Sequence, residues 1–427
     1  MKRVDTVITG IGIVSGLGLG KDENWANFCA GRSGIGPLRG IDARVLPAAI
    51  ASQVPEERFA DYLRAHFPRL VVKRTARFSQ LCLAACRMAI EDGGLDLERE
   101  DRERIGIVVG NHGYGLKVVD EHLAHLVEER SDTRPSDWSK VALDPMAVPK
   151  LMANSCVAQA SILYGLQGPS FTVGMSCASG AAAVALADQM LQLGRAEVAL
   201  AGGADALVAP FPLIGFGVMG KLSRRRTEPE AASRPFDRER DGFVLGEAAG
   251  MIVLETAEHA RRRRAAVYAR ILGHATTCEA FSLTAPEPDG VGMAGTMMRA
   301  MRAAGVAPGD VDYVNAHAAS TPIGDRCEAL GVRRAFGARR LPVSSQKSMI
   351  GHTMGAAGAI EIAVTALTIK EGVVTPTINY EHPDRECDLD VVPNVAREQR
   401  VRIALSNSFG FGGHNCCVVL AADGRGH

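Results

Sequence analysis

Two glycine-bracketed stretches most constrain what this chain can fold into. Gly180-AAAVALADQMLQL-Gly194 and Gly358-AIEIAVTALTIKE-Gly372 enclose apolar, helix-forming runs at the same separation. Each follows an extended segment and a turn, Phe171 to Ser176 in one case and Leu341 to Ser345 in the other. Many α/β helices share this composition, so the likeness alone is slender, but it favours two duplicated halves over two unrelated domains. Length agrees, because 427 residues exceed what one ordinary core holds. The expected halves are residues 1–262 and 263–427.

Arg3 to Ile13, Arg104 to Val109 and Ala196 to Gly203 are apolar extended runs that alternate with helical ones. This is the pattern of an α/β protein whose sheets are covered on both faces. Gly10-Ile11-Gly12 tempts a dinucleotide-binding reading, but Ser15 stands where a third glycine belongs and no acidic strand end follows. Residues 116–150 are more polar and suggest an excursion over the surface.

The formal net charge is zero, so bulk nucleic-acid binding is disfavoured and any acidic partner must be attracted by local patches. No run of about 18 apolar residues predicts a membrane span. The ten cysteines show neither a C-x-x-C pair nor zinc-ligand spacing, and suit reduced thiols in a cytoplasmic protein without a metal centre.

The turn before the first bracketed helix is Gly174-Met175-Ser176-Cys177-Ala178-Ser179-Gly180. A strand, a small-residue turn and a helix put Cys177 beside unpaired backbone N–H groups and the positive end of a helix dipole, which favours the thiolate. That is a nucleophile elbow built with Cys in place of Ser. A buried cysteine acting as a small hydrophobe in a tight turn fits this stretch equally well. Three further turns carry polar residues that a plain core would reject: Asn315-Ala316-His317 through Thr321, Gln346-Lys347 through His352, and Asn407 through Gly413. One histidine at a strand end is usually a hydrogen-bonded structural residue; four such turns together point to a site.

These residues resemble the β-ketoacyl-acyl-carrier-protein synthases of the thiolase superfamily, the elongating condensing enzymes of type II fatty-acid and polyketide synthesis. The likeness rests on Cys177 in its elbow, Asn315-Ala316-His317, Lys347 with Ser348-Met349-Ile350-Gly351-His352, Gly410-Phe411-Gly412-Gly413, and Ala232 to Asp237 through Gly246-Glu247. It runs from about residue 3 to 420. The resemblance implies a five-layered αβαβα thiolase fold, with the nucleophile in the first half and the two histidines in the second. It also implies decarboxylative Claisen condensation of a Cys-bound acyl group with a malonyl carrier thioester. Cys177 would take the acyl group, His317 and His352 would stabilise the enolate as neutral N–H donors, and the backbone N–H groups of Cys177 and Phe411 would hold the oxyanion.

In the same resemblance Lys347 and Glu361 orient the histidines, Asn315 and Asn407 support the site, and Phe411 gates the acyl channel. Thr321, Gly113, Phe216 and Gly412 are the implied substrate contacts. No cofactor is implied beyond a structural monovalent cation near Asn315, Ala316, Glu361, Ser406 and Asn407. The implied partners are an acidic acyl carrier protein, docking on Lys73, Arg74, Arg77 and Lys221, and a second synthase-like subunit. That homodimer or heterodimer would form partly through the strand before Cys177.

The chain departs from the family pattern at three places. Ala318-Ala319 stands where Gly-Thr is usual and removes one hydroxyl expected on pantetheine, Gln346 replaces Thr, and Gly113 takes a place often filled by a bulky residue that limits the acyl pocket. These departures bear on substrate rather than reaction, and suggest a specialised synthase of secondary metabolism at least as much as a fatty-acid enzyme. Two alternatives compete. A non-catalytic partner subunit would lack the nucleophile that Cys177 supplies. A non-decarboxylative thiolase would need a second cysteine near the C-terminal glycine turn, where Cys416 and Cys417 fall beyond Asn415.

Overall fold

The computed structural model describes residues 4–120 and 144–424, so most of the expected polar excursion lies outside the described residues. The first half contributes strands Thr6–Ser15 (β1), Ile105–Gly110 (β2), Ser170–Val173 (β3), Val198–Ala206 (β4) and Glu247–Thr256 (β5). The second contributes Ala269–Cys278 (β6), Tyr313–Asn315 (β7), Pro342–Ser344 (β8), Ile403–Gly410 (β9) and His414–Ala421 (β10). The helices that frame the site are Arg77–Asp92 (α1), Ser155–Tyr164 (α2), Ser179–Gln192 (α3), Pro210–Val218 (α4), Val291–Ala304 (α5), Pro322–Phe336 (α6) and Ala357–Glu371 (α7).

Strand order is β3-β2-β4-β5-β1 in the first half and β8-β7-β9-β10-β6 in the second. In both, the first three strands of that order run parallel and the last two pair antiparallel with their neighbours. The same order in the same directions is the duplication that the glycine-bracketed runs suggested. Thr6, Val7 and Ile8 of β1 also pair with Ile271, Arg270 and Ala269 of β6, which stitches the halves, with the two-residue strands Gly18–Leu19 beside β1 and Asp390–Val391 beside β8, into one twelve-stranded hydrogen-bonded sheet.

Helices α3 and α7 lie between the halves and touch strands of both, while α1 and α2 cover the outside of the first half and α5 and α6 the outside of the second. Three large apolar clusters follow these layers, one central and one on each side. The largely apolar run in α7 is therefore explained, since this helix is buried on every face from Ala357 to Ile369. Close approach of α3 and α7 needs Gly180 and Gly358: a Cβ on the first would lie 2.6 Å from the Gly355 carbonyl oxygen, and one on the second 2.8 Å from the Ala181 Cβ.

The offset that relates Gly180 to Gly358 also relates Ser176 to Met354, and both are non-glycine residues at positive φ, 53° and 50°. Each half thus carries a strained elbow at the start of its central helix. Among the described residues no helix is long and apolar enough to cross a membrane.

Candidate active site

The two elbows meet, and their meeting brings together residues distant in sequence. In the first elbow, Ser179 closes the turn by accepting from the Met175 N–H at 2.8 Å and donating to the Ser176 carbonyl at 2.6 Å. Cys177 is left at the start of the fourteen-residue helix α3, with its side chain buried. In the second elbow, the Met354 N–H donates to His352 Nδ1 at 3.3 Å, which leaves the ring proton on Nε2. That Nε2 faces Cys177 Sγ at 3.1 Å.

His317 follows the end of β7, its ring centroid 5.4 Å from that of His352 and nearly perpendicular to it. One ligand-type atom from each of Cys177, His317 and His352 lies within 4.8 Å of the others. Phe243 packs edge-on against His352 at 5.4 Å and against Phe216 at the same distance, walling the group with aromatic surface.

Burial is the larger cause that holds both histidines well below their usual pKa, and the Lys347 charge adds to it. Both imidazoles are therefore neutral N–H donors. Lys347 itself is buried and paired with buried Glu361. Removing either partner would strand the other charge, typically at about 3–5 kcal/mol.

Cys177 departs from expectation. The Ser176 hydroxyl, Lys347 and the backbone N–H of Phe411 all pull its pKa down, but burial pushes it up by more. Loss of hydration thus works against the thiolate that the elbow was expected to favour.

A cavity of about 230 Å³ reaches Cys177, His317 and His352 and is also lined by Phe216, Thr321 and Phe411. It is smaller than the ~300–1,000 Å³ of sites that enclose whole ligands, which suits a channel for one linear chain. Lys221 stands at this cavity with its ammonium 5.9 Å from the centre of the Phe411 ring. Phe411 is half-buried in a turn whose Gly412 and Gly413 sit at φ 80° and 71°. The Gly412 N–H donates to the Leu283 carbonyl at 2.7 Å, so the turn is tied down at one point.

Three expected site residues are placed differently. Gly113 does not line the cavity: a Cβ there would fall 1.9 Å from Leu207 Cδ2, so Leu207 already fills the space a bulkier residue would take. Gly412 supplies the turn and not a cavity wall. Arg77 leaves the docking surface, because its guanidinium pairs with buried Glu247 at 2.9 Å and stacks over Phe59. Lys73 and Arg74 are exposed.

Two functional carboxylates escaped sequence reasoning. Glu328 of α6 is buried and accepts from the backbone N–H groups of His317 at 2.9 Å and Ala318 at 2.7 Å, fixing the turn that carries His317. Burial lifts its pKa to about 7. Its signal was an acid on the same helical stripe as Val332 and Ala335. Asp205, at the end of β4, accepts from the N–H groups of His112, Gly113 and Gly355 at 2.9, 3.0 and 2.7 Å, and so ties a first-half loop to the second elbow.

Comparison with known proteins agrees with this geometry. The model of the beta-ketoacyl synthase N-terminal domain matches residues 3–260, and that of the C-terminal domain residues 268–381. The 3-oxoacyl-[acyl-carrier-protein] synthase 2 of Coxiella burnetii is 38% identical over 428 residues, 99% of each chain. That of Synechocystis is 39% identical over 422 residues, 98% of this chain and 97% of its own. Among solved structures, a type II PKS acyl-carrier protein in complex with its ketosynthase (AntDE:AntF) matches with a TM-score of 0.90 at 30% identity, covering 99% of this chain and 100% of that one. The ishigamide ketosynthase/chain length factor matches with a TM-score of 0.90 at 32% identity and the same coverage.

Proposed function

The chain belongs to the β-ketoacyl synthase family, and from that membership we infer how its residues divide the work of a β-ketoacyl-[acyl-carrier-protein] synthase. Such an enzyme joins a Cys-bound acyl group to malonyl carrier protein by decarboxylative Claisen condensation, in type II fatty-acid or polyketide synthesis. The observation that carries the assignment is Cys177 Sγ facing the Nε2 of a neutral His352 at 3.1 Å. Among the residues lining the cavity Cys177 is the one cysteine, which leaves a thiolase without its second thiol.

Acylation begins as Cys177 sulfur attacks the acyl thioester, the oxyanion resting on the N–H groups of Cys177 and Phe411. The carbon–sulfur bond to the carrier breaks, and the Cys177 proton leaves with the pantetheine sulfur. Malonyl thioester then enters and loses carbon dioxide, its electron pair passing into an enolate held by His317 and His352. The enolate carbon attacks the acyl carbon, the new carbon–carbon bond forms, and Cys177 departs as thiolate. Phe411, at the cavity and on a glycine-rich turn, is placed to gate the order of the two substrates.

Three buried oxygens, Asn315 Oδ1, Glu361 Oε2 and Ser406 Oγ, have no hydrogen-bond partner among the described residues. Asn315 and Ser406 sit opposite each other in the β7–β9 pairing, and Asn315 Nδ2 donates to the Glu361 carbonyl. These oxygens fit a monovalent cation that neutralises stranded acceptors. Asn407 donates through Nδ2 to Glu328 and Met297, and its Oδ1 is likewise buried without a partner among the described residues.

For partners we assign an acidic acyl carrier protein, attracted by exposed Lys73 and Arg74, and a second synthase-like subunit. Among the described residues strand β3 ends the sheet with no neighbour on its outer edge and with Phe171 exposed, the kind of edge another strand can extend. All ten cysteines are free, as suits the reducing cytoplasm to which we assign the protein. The test is separation of the half-reactions. His317→Ala and His352→Ala should each slow malonyl decarboxylation by about two orders of magnitude, with Cys177 acylation affected less. Equal loss in both steps would mean that a histidine activates the thiol instead.

A further inference from the structure

Resting on the condensing reaction assigned above, we propose that His112 determines acyl specificity. Its imidazole donates to an oxygen on the acyl chain loaded on Cys177, so the preferred acyl group carries a hydroxyl or oxo substituent and is not a plain alkyl chain.

His112 follows the end of β2 and lines the same cavity as Cys177 and His352. Its ring lies 6.4 Å from that of Phe216, centroid to centroid, beside an otherwise apolar cluster that includes Leu207, Leu213 and Met354. No hydrogen bond joins the ring to any described residue, whereas the backbone around it is firmly held. Its own N–H and that of Gly113 donate to Asp205, and the preceding Asn111 donates through its backbone to Val173 and through its side chain to Ala153. The loop cannot retreat, because Leu207 occupies the space behind Gly113.

The result is a rigidly mounted imidazole whose polar edge no described residue uses. When an acyl chain enters, water leaves the cavity, and the ring must either bond to the chain or lose its hydrogen bonds altogether. An imidazole has an N–H donor in either protonation state, so an oxygen on the chain satisfies it in both. A plain alkyl chain satisfies it in neither. His352 differs, with its Nδ1 bonded and its Nε2 on Cys177, whereas neither nitrogen of His112 is engaged by a described residue.

The experiment loads carrier protein with hexanoyl, 3-hydroxyhexanoyl, 3-oxohexanoyl or 5-oxohexanoyl groups and follows acylation of Cys177 by intact-protein mass. Wild type should take at least one oxygenated chain about tenfold or more faster in kcat/KM than hexanoyl, as a site built around a substrate oxygen does. His112→Leu should bring that ratio to about one, and His112→Gln, which keeps an N–H donor, should retain part of it. Thermal melts of both variants separate this from loss of fold. Wild type that accepts hexanoyl as well as every oxygenated chain overturns the role of His112 without touching the condensing reaction, whatever the variants do. A ratio unchanged in a folded His112→Leu also overturns it. Failure of every thioester to acylate Cys177 would instead overturn the condensing reading itself.

Discussion

At Cys177 three groups favour the thiolate, yet removal from water raises the thiol pKa more than they lower it. Alkylation of Cys177 by iodoacetamide should therefore keep rising with pH beyond ~8.5, the range of a free thiol. A plateau below that range, read by mass of the labelled peptide, would show that the helix terminus prevails. Glu328 is marked in the sequence only as an acid on the buried stripe of α6. Its pKa of about 7 means that the carboxyl is neutral below that pH and ionised above it. Above pH ~7 the added negative charge at the His317 turn opposes the developing enolate, so malonyl decarboxylation should fall as pH rises through this range. Glu328→Gln, neutral throughout, should flatten that limb of the rate profile; a limb that persists would remove Glu328 from the titration.

The element scale is ruled by the crossing of α3 and α7. Alanine at Gly180 gains about 1 kcal/mol of helix propensity but drives a Cβ to 2.6 Å from a backbone oxygen that cannot rotate away. Overpacking of about 1–3 kcal/mol should win, and the shifted elbow should slow Cys177 acylation as well. Gly194→Ala is the control: its φ of 66° penalises a side chain by about 1–2 kcal/mol, but nothing lies within 4 Å. It should lower the denaturant midpoint and leave acylation alone. The repeat that flanks both helices was legible because glycines punctuate sequence. Their reasons differ, close packing at Gly180 and a left-handed helix end at Gly194, and only coordinates separate the two.

Across the whole molecule, one basic stretch serves two purposes. Lys73 and Arg74 face solvent, so their reversal to Glu should raise the apparent KM for acyl carrier protein roughly tenfold and flatten its salt dependence, with small thioesters unaffected. Equal slowing with small thioesters would make the patch structural. Arg77 belongs to the interior, and Arg77→Ala would leave Glu247 buried without its partner, at a cost of about 3–5 kcal/mol measurable by denaturation. Adjacent positions in the chain thus give opposite phenotypes, because α1 begins at Arg77 and turns inward there.

The α/β alternation, the duplicated halves and the four polar turns were all determined by local pattern: periodicity, glycine punctuation and motif are properties of neighbouring residues. Cys177, His317, Lys347 and His352 could be named from sequence because they stand in those turns and match the motifs of the family the chain resembles. What tertiary structure alone decided was everything set by burial and by contact across the halves. The raised thiol of Cys177, the inward turn of Arg77, the space that Leu207 takes from Gly113, the clamp of Asp205 and the place of the His112 ring at the cavity all depend on which distant residue displaces water. Hydration and its loss are set by three-dimensional neighbours, and a linear chain does not carry them in its spacing.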